Sequence, residues 1–86
     1  MGDTIAAIAT PQGEGGIGIV RISGDDSLNI MKKILRPCPA EVKPRYAYYG
    51  NIVNPKKENV IDEAICLYMK APHSYTCEDV VEIQAH

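Results

Sequence analysis

The sequence predicts an α+β fold, a small mixed β-sheet of about five strands with one clear helix. Three observations predict it. Residues 17–22 (Ile-Gly-Ile-Val-Arg-Ile) form a β-branched, nearly all-apolar run of strand length. Residues 80–86 alternate, with Val81, Ile83 and Ala85 on one side and Glu82, Gln84 and His86 on the other, as in a half-buried strand. One stretch alone, carrying Leu28, Met31, Ile34 and Leu35, repeats at the three- and four-residue spacing of an amphipathic helix.

The elements follow in order. Residues 4–10 are rich in Ile and Ala and end before Pro11, which marks a short first strand. The glycine-rich turn at 12–16 leads into the second strand, closed by Ser23 and Gly24. Asp25, Asp26 and Ser27 offer N-cap oxygens and negative charge to the helix start. Lys32, Lys33 and Arg36 suit its C-terminal end, and Pro37 stops it. Three prolines within 37–44 make an irregular connection, because proline cannot donate to a central ladder. Residues 46–53 and 60–70 read as two strands of a hairpin around the polar stretch 54–59. Within the second of them, 64–69 are apolar on both alternating faces, which predicts a central strand covered on each side. A polar loop, 71–79, precedes the last strand.

Eighty-six residues allow one domain, which removes only about 60–65% of its unfolded surface from water. Its aromatic residues are five Tyr, with no Phe or Trp, so a disulfide, a metal or another chain is an expected support for the core. With 45% hydrophobic and 23% charged residues, wholesale disorder is excluded. Nine Lys and Arg against eleven Asp and Glu leave a net charge of −2 and no basic stripe, so direct nucleic-acid binding by this segment is not expected. Cys38, Cys66 and Cys77 are odd in number and lack a C-x-x-C spacing, and His73, Cys77 and His86 form no recognised zinc spacing. Free thiols in a reducing cytoplasm, with no metal, are the expectation. Residues 1–10 lack the basic n-region of a signal peptide, and no run approaches the ~20 apolar residues of a membrane span.

Gly13, Gly15 and Gly18 match the letters of G-x-G-x-x-G, but a strand follows them where a dinucleotide site needs a helix N-terminus. No Gly-Lys-Ser/Thr follows either, which excludes a Walker loop. The glycines then serve a flexible turn, or let backbone approach a flat ligand. Arg21 interrupts an apolar strand. It either snorkels to water at the strand end, pairs with a carboxylate such as Glu63, or meets a ligand. Glu82, mid-strand among apolar neighbours, is either solvated or placed to accept two parallel hydrogen bonds from a ligand edge. Residues 72–79 hold His73, Ser74, Cys77, Glu78 and Asp79, but adjacency in a loop rarely provides the base and orienting group that a nucleophile requires.

Two segments together carry a family resemblance. Ala9-Thr10-Pro11, with Gly16-Ile17-Gly18-Ile19-Val20-Arg21-Ile22-Ser23-Gly24, resembles the amino-terminal signature of the MnmE (TrmE) tRNA modification GTPases. So does Pro72-His73-Ser74-Tyr75-Thr76-Cys77-Glu78-Asp79-Val80-Val81-Glu82-Ile83-Gln84-Ala85-His86, with Ile61-Asp62-Glu63 between them. The resemblance implies an N-terminal α+β domain similar to the folate-binding domain of aminomethyltransferase-type proteins. Such a domain binds 5-formyltetrahydrofolate or a related reduced folate and forms a homodimer. Residues 1–86 would be part of it, non-catalytic alone, with the helical and GTPase domains outside this chain. The full-length protein would use GTP, Mg²⁺ and K⁺. With an FAD-dependent GidA/MnmG-type partner it would modify the wobble uridine of tRNA at carbon 5, position 34, in the cytoplasm and away from membranes.

By position, the folate-contacting residues of the family correspond to Arg21 and Glu82, and Gly15 and Gly16 would support the ligand through backbone. A third family contact, a lysine, lies beyond His86. Cys77 stands where the family usually has glycine, and Gln12 where it often has proline. The family continues with Gly-Gly after His86, so the chain reads as a fragment of the domain. The alternatives are a standalone interaction module without a cofactor and a fragment of a folate-dependent aminomethyltransferase.

Overall fold

A computed structural model describes residues 4–8, 18–71 and 78–85. Its elements are β1 (Ile5–Ile8), β2 (Gly18–Ser23), α1 (Ser27–Ile34), β3 (Leu35–Arg36), β4 (Ala47–Val53), β5 (Val60–Met69) and β6 (Val80–Ala85). The strands form one sheet in the order β1-β2-β6-β5-β4-β3. The α+β class and all five expected strands are present. The sheet differs from expectation in two respects. Every neighbouring pair is antiparallel, so the described sheet is not mixed. A sixth strand, β3, follows directly on the helix.

The sixth strand was hidden because two residues are too few to carry a strand period, and Leu35 continues the helical spacing. Leu35 instead leaves the helix in extended conformation, with φ −95° and ψ 132°, and still buries its side chain completely. Gly50 on β4 makes this close approach possible. A Cβ there would lie 2.6 Å from the Arg36 carbonyl oxygen.

Alternation divides each strand between two faces. Val20 and Ile22 of β2, Val81 and Ile83 of β6, and Ala64, Cys66 and Tyr68 of β5 join one core cluster with Met31 and Leu35. Helix α1 covers this face. The expected central position of β5 holds, between β6 and β4. Its cover is uneven, since Cys66 is fully buried while Ile65, on the other face, is 38% exposed.

Local chemistry sets the connections. In the hairpin between β4 and β5, the Asn54 side-chain oxygen accepts the Lys56 N–H at 2.9 Å, and its carbonyl accepts the Glu58 N–H at 2.7 Å. This is the self-capping turn that asparagine favours. Between β2 and α1, Gly24 adopts φ +136°, and a Cβ on it would lie 2.6 Å from the Cα of Thr4. Asp26 is the N-cap, but its side chain makes no cap bond. Its own N–H donates to the Thr4 hydroxyl at 3.1 Å, which ties the helix start to the chain leading into β1.

The glycine turn with Gly15 and Gly16, the loop segment containing His73 and Cys77, and His86 lie outside the described residues.

Candidate functional site

The apolar alternation of β2 and β6 determines where their charges go. Val20 and Ile22 pair with Ile83 and Val81 and face the core, so Arg21 and Glu82, each one residue out of phase, share the opposite face. The register places Arg21 directly opposite Glu82. Arg21 Nε donates to Glu82 Oε2 at 3.0 Å. On the other side, Gln84 Nε2 donates to Glu82 Oε1 at 2.9 Å.

Burial within this group is unequal. The Glu82 side chain is only 7% exposed, whereas that of Arg21 remains 37% exposed. Burying a carboxylate costs several kcal/mol unless it is paired and hydrogen-bonded, and each Glu82 oxygen has one such partner. A carboxylate offers about four lone-pair sites, so acceptor capacity remains on both oxygens. The neighbouring positions are apolar: Ala7 is opposite Arg21, Leu67 is opposite Glu82, and Ile19 and Ile65 flank Gln84. The result is a charged pair set among apolar positions of a sheet face, its carboxylate buried and able to accept further hydrogen bonds.

Other polar groups border this face. The Ser23 hydroxyl donates to Glu78 Oε2 at 2.9 Å. The Tyr49 hydroxyl donates to Glu63 Oε2 at 2.5 Å, and this bond, reinforced by the carboxylate's charge, raises the Tyr49 pKa. Glu63 therefore serves Tyr49, and among the described residues the carboxylate that Arg21 meets is Glu82. At the base of the 71–79 loop, Asp79 Oδ1 accepts the Ala71 N–H at 2.9 Å, and its carbonyl accepts the Gly24 N–H at 2.8 Å. Tyr68 is held above its ordinary pKa by burial and then by Asp79.

The two described cysteines are free. Burial pushes the Cys66 thiol up to about 11, which removes it as a nucleophile near neutral pH. Among the described residues, no three His, Cys, Asp or Glu side chains come together as a metal site, and no helix is long and apolar enough to cross a membrane.

Arg21 and Glu82 are the two side chains that the sequence singled out as ligand contacts, and the fold brings them together; Gly15 and Gly16 lie outside the described residues. Gln84 was visible on the same face through the period of two, but its bond to Glu82 was not. The Tyr49 and Glu63 contact depends on the register between β4 and β5, which no local pattern reveals.

Comparison with known proteins gives a consistent result. Residues 4–86 match the model of the family described as "GTP-binding protein TrmE N-terminus". A tRNA modification GTPase MnmE from Chloroflexus aurantiacus is 55% identical over 87 residues, covering 100% of this chain and 19% of the relative. A protein of the same name from Francisella tularensis subsp. holarctica is 57% identical over 84 residues, covering 98% of this chain and 18% of the relative. The chain thus spans about a fifth of the length of the relatives it matches. With a matching model across nearly all its residues and this level of identity, the chain belongs to the TrmE N-terminal family.

Proposed function

We propose that this segment binds a reduced folate of the 5-formyltetrahydrofolate class on the sheet face that carries Arg21 and Glu82. The observation that supports this reading best is a carboxylate buried to 5% exposure, paired with an arginine and bordered by Ala7, Ile19, Ile65 and Leu67. A pterin edge presents adjacent N–H donors, which a carboxylate accepts in pairs, and its ring matches an apolar floor. Arg21 suits carbonyl or anionic groups of the same ligand. Gly15 and Gly16 would add backbone contact to the ring.

The segment acts as the N-terminal, dimer-forming part of a GTPase that modifies the wobble uridine of tRNA at carbon 5, position 34. The name of the relatives, tRNA modification GTPase, supports this reading over a cofactor-free module or an aminomethyltransferase fragment. GTP, Mg²⁺ and K⁺ belong to the GTPase part, and an FAD-dependent GidA/MnmG-type protein is the partner, in the cytoplasm. These assignments rest on family likeness.

Isothermal calorimetry of the full-length gene product with 5-formyltetrahydrofolate tests the binding. Arg21→Ala or Glu82→Gln is expected to cost about 2–4 kcal/mol of binding, roughly 30- to 1,000-fold in Kd, through lost charge-assisted bonds. If both variants bind as tightly as wild type, the reading is wrong.

A further inference from the structure

We propose that Gln84 is a positioning residue of this site, fixing the Glu82 carboxylate and placing a second hydrogen-bond acceptor beside it. The inference rests on the folate reading above and deepens it. An ionised carboxylate accepts hydrogen bonds and cannot donate them. The Gln84 group facing Glu82 Oε1 at 2.9 Å is therefore its NH₂, and the planar amide must turn its oxygen away from Glu82. A ligand edge on this face then meets the carboxylate and an amide oxygen in succession, an arrangement suited to a row of N–H donors. Ile19 of β2 and Ile65 of β5 stand on either side of Gln84 in the register and offer it no competing polar group.

Among the described residues of the adjacent strands, Arg21 of β2 faces Glu82, and β5 opposes it with Leu67. The Glu63 carboxylate lies further along β5 and is bonded to Tyr49 of β4, and Glu78 holds the Ser23 hydroxyl beyond Arg21.

Two substitutions distinguish positioning from packing. Gln84→Leu keeps the bulk and removes the amide. Gln84→Glu keeps the shape but can donate to Glu82 only when protonated. Titration of the full-length protein with 5-formyltetrahydrofolate is expected to show about a tenfold loss for Gln84→Leu. For Gln84→Glu the loss relative to wild type should be largest at pH 8 and shrink several-fold by pH 5.5, as a proton returns the missing donor.

If Glu82→Gln loses folate while Gln84→Leu binds like wild type, the Gln84 role is overturned and the folate reading stands. A Gln84→Glu ratio that is constant with pH also overturns it, since simple packing would behave that way, and this result remains readable if Gln84→Leu does not fold. If wild type does not bind, or Arg21→Ala and Glu82→Gln both bind as wild type does, both readings fall together.

Discussion

Arg21 and Glu82 are 61 positions apart in the chain and lie directly opposite each other on β2 and β6, with Nε 3.0 Å from Oε2. The carboxylate is the more buried partner, so the pair's desolvation cost falls mainly on Glu82. Removing the arginine leaves that carboxylate short of its compensating charge. Arg21→Ala should lower stability by about 1–3 kcal/mol, less than for a fully buried pair because the guanidinium reaches water. In urea denaturation, Arg21→Ala with Glu82→Gln should be less destabilised than the sum of the single variants. Strict additivity would mean that the two groups are uncoupled.

Cys66 makes alkaline stability a test of the core. Its thiol is raised from 9.0 to about 11, so between these values the folded chain keeps a proton that the unfolded chain releases. The neutral thiol's contribution is therefore present in full below about pH 9 and lost as pH rises toward 11. The loss amounts to about 2–3 kcal/mol at the alkaline end. Cys66→Ala, although less stable at neutral pH, should show a shallower decline over this range in denaturation measured at several pH values. Parallel declines would contradict the burial of the thiol.

The exposed Tyr49 hydroxyl donates to Glu63, and this bond raises its pKa. Glu63→Gln removes the negative charge and should bring the Tyr49 transition down toward ordinary tyrosine in an ultraviolet pH titration. An unchanged titration would place the hydroxyl elsewhere.

Two glycines are expected to resist substitution. Gly24→Ala combines φ +136° with a clash against the Thr4 backbone, and Gly50→Ala drives a methyl group into the Arg36 carbonyl. Each should cost about 2 kcal/mol or more in thermal or chemical denaturation. At Gly18, the nearest atom of the described residues to an added Cβ is the Ala85 carbonyl oxygen at 3.8 Å, so Gly18→Ala serves as the control.

The features that sequence made legible are those with a local physical cause. The alternation of Val81, Ile83 and Ala85 fixed the faces of β6, and the spacing of Leu28, Met31 and Ile34 located the helix. Asn54 and the polar residues after it marked the hairpin. Pairing between distant segments was less visible, because period two says which residues share a face but not which strand lies alongside. Thus Glu63 remained a candidate partner for Arg21 until the order β2-β6-β5 placed Glu82 next to it. The N-cap position was legible and its bonding was not, for a similar reason. Asp26 has the right residue type, yet the Thr4 hydroxyl, distant in sequence, binds the Asp26 N–H, and the aspartate side chain makes no cap bond.

A crystal structure of the full-length protein soaked with 5-formyltetrahydrofolate tests the central claim most directly. The pteridine is expected on the β2 and β6 face, its N–H edge within hydrogen-bond distance of the Glu82 carboxylate and Arg21 in contact with the same molecule. A well-ordered ligand bound elsewhere, with Arg21 and Glu82 still bonded only to protein, would contradict it.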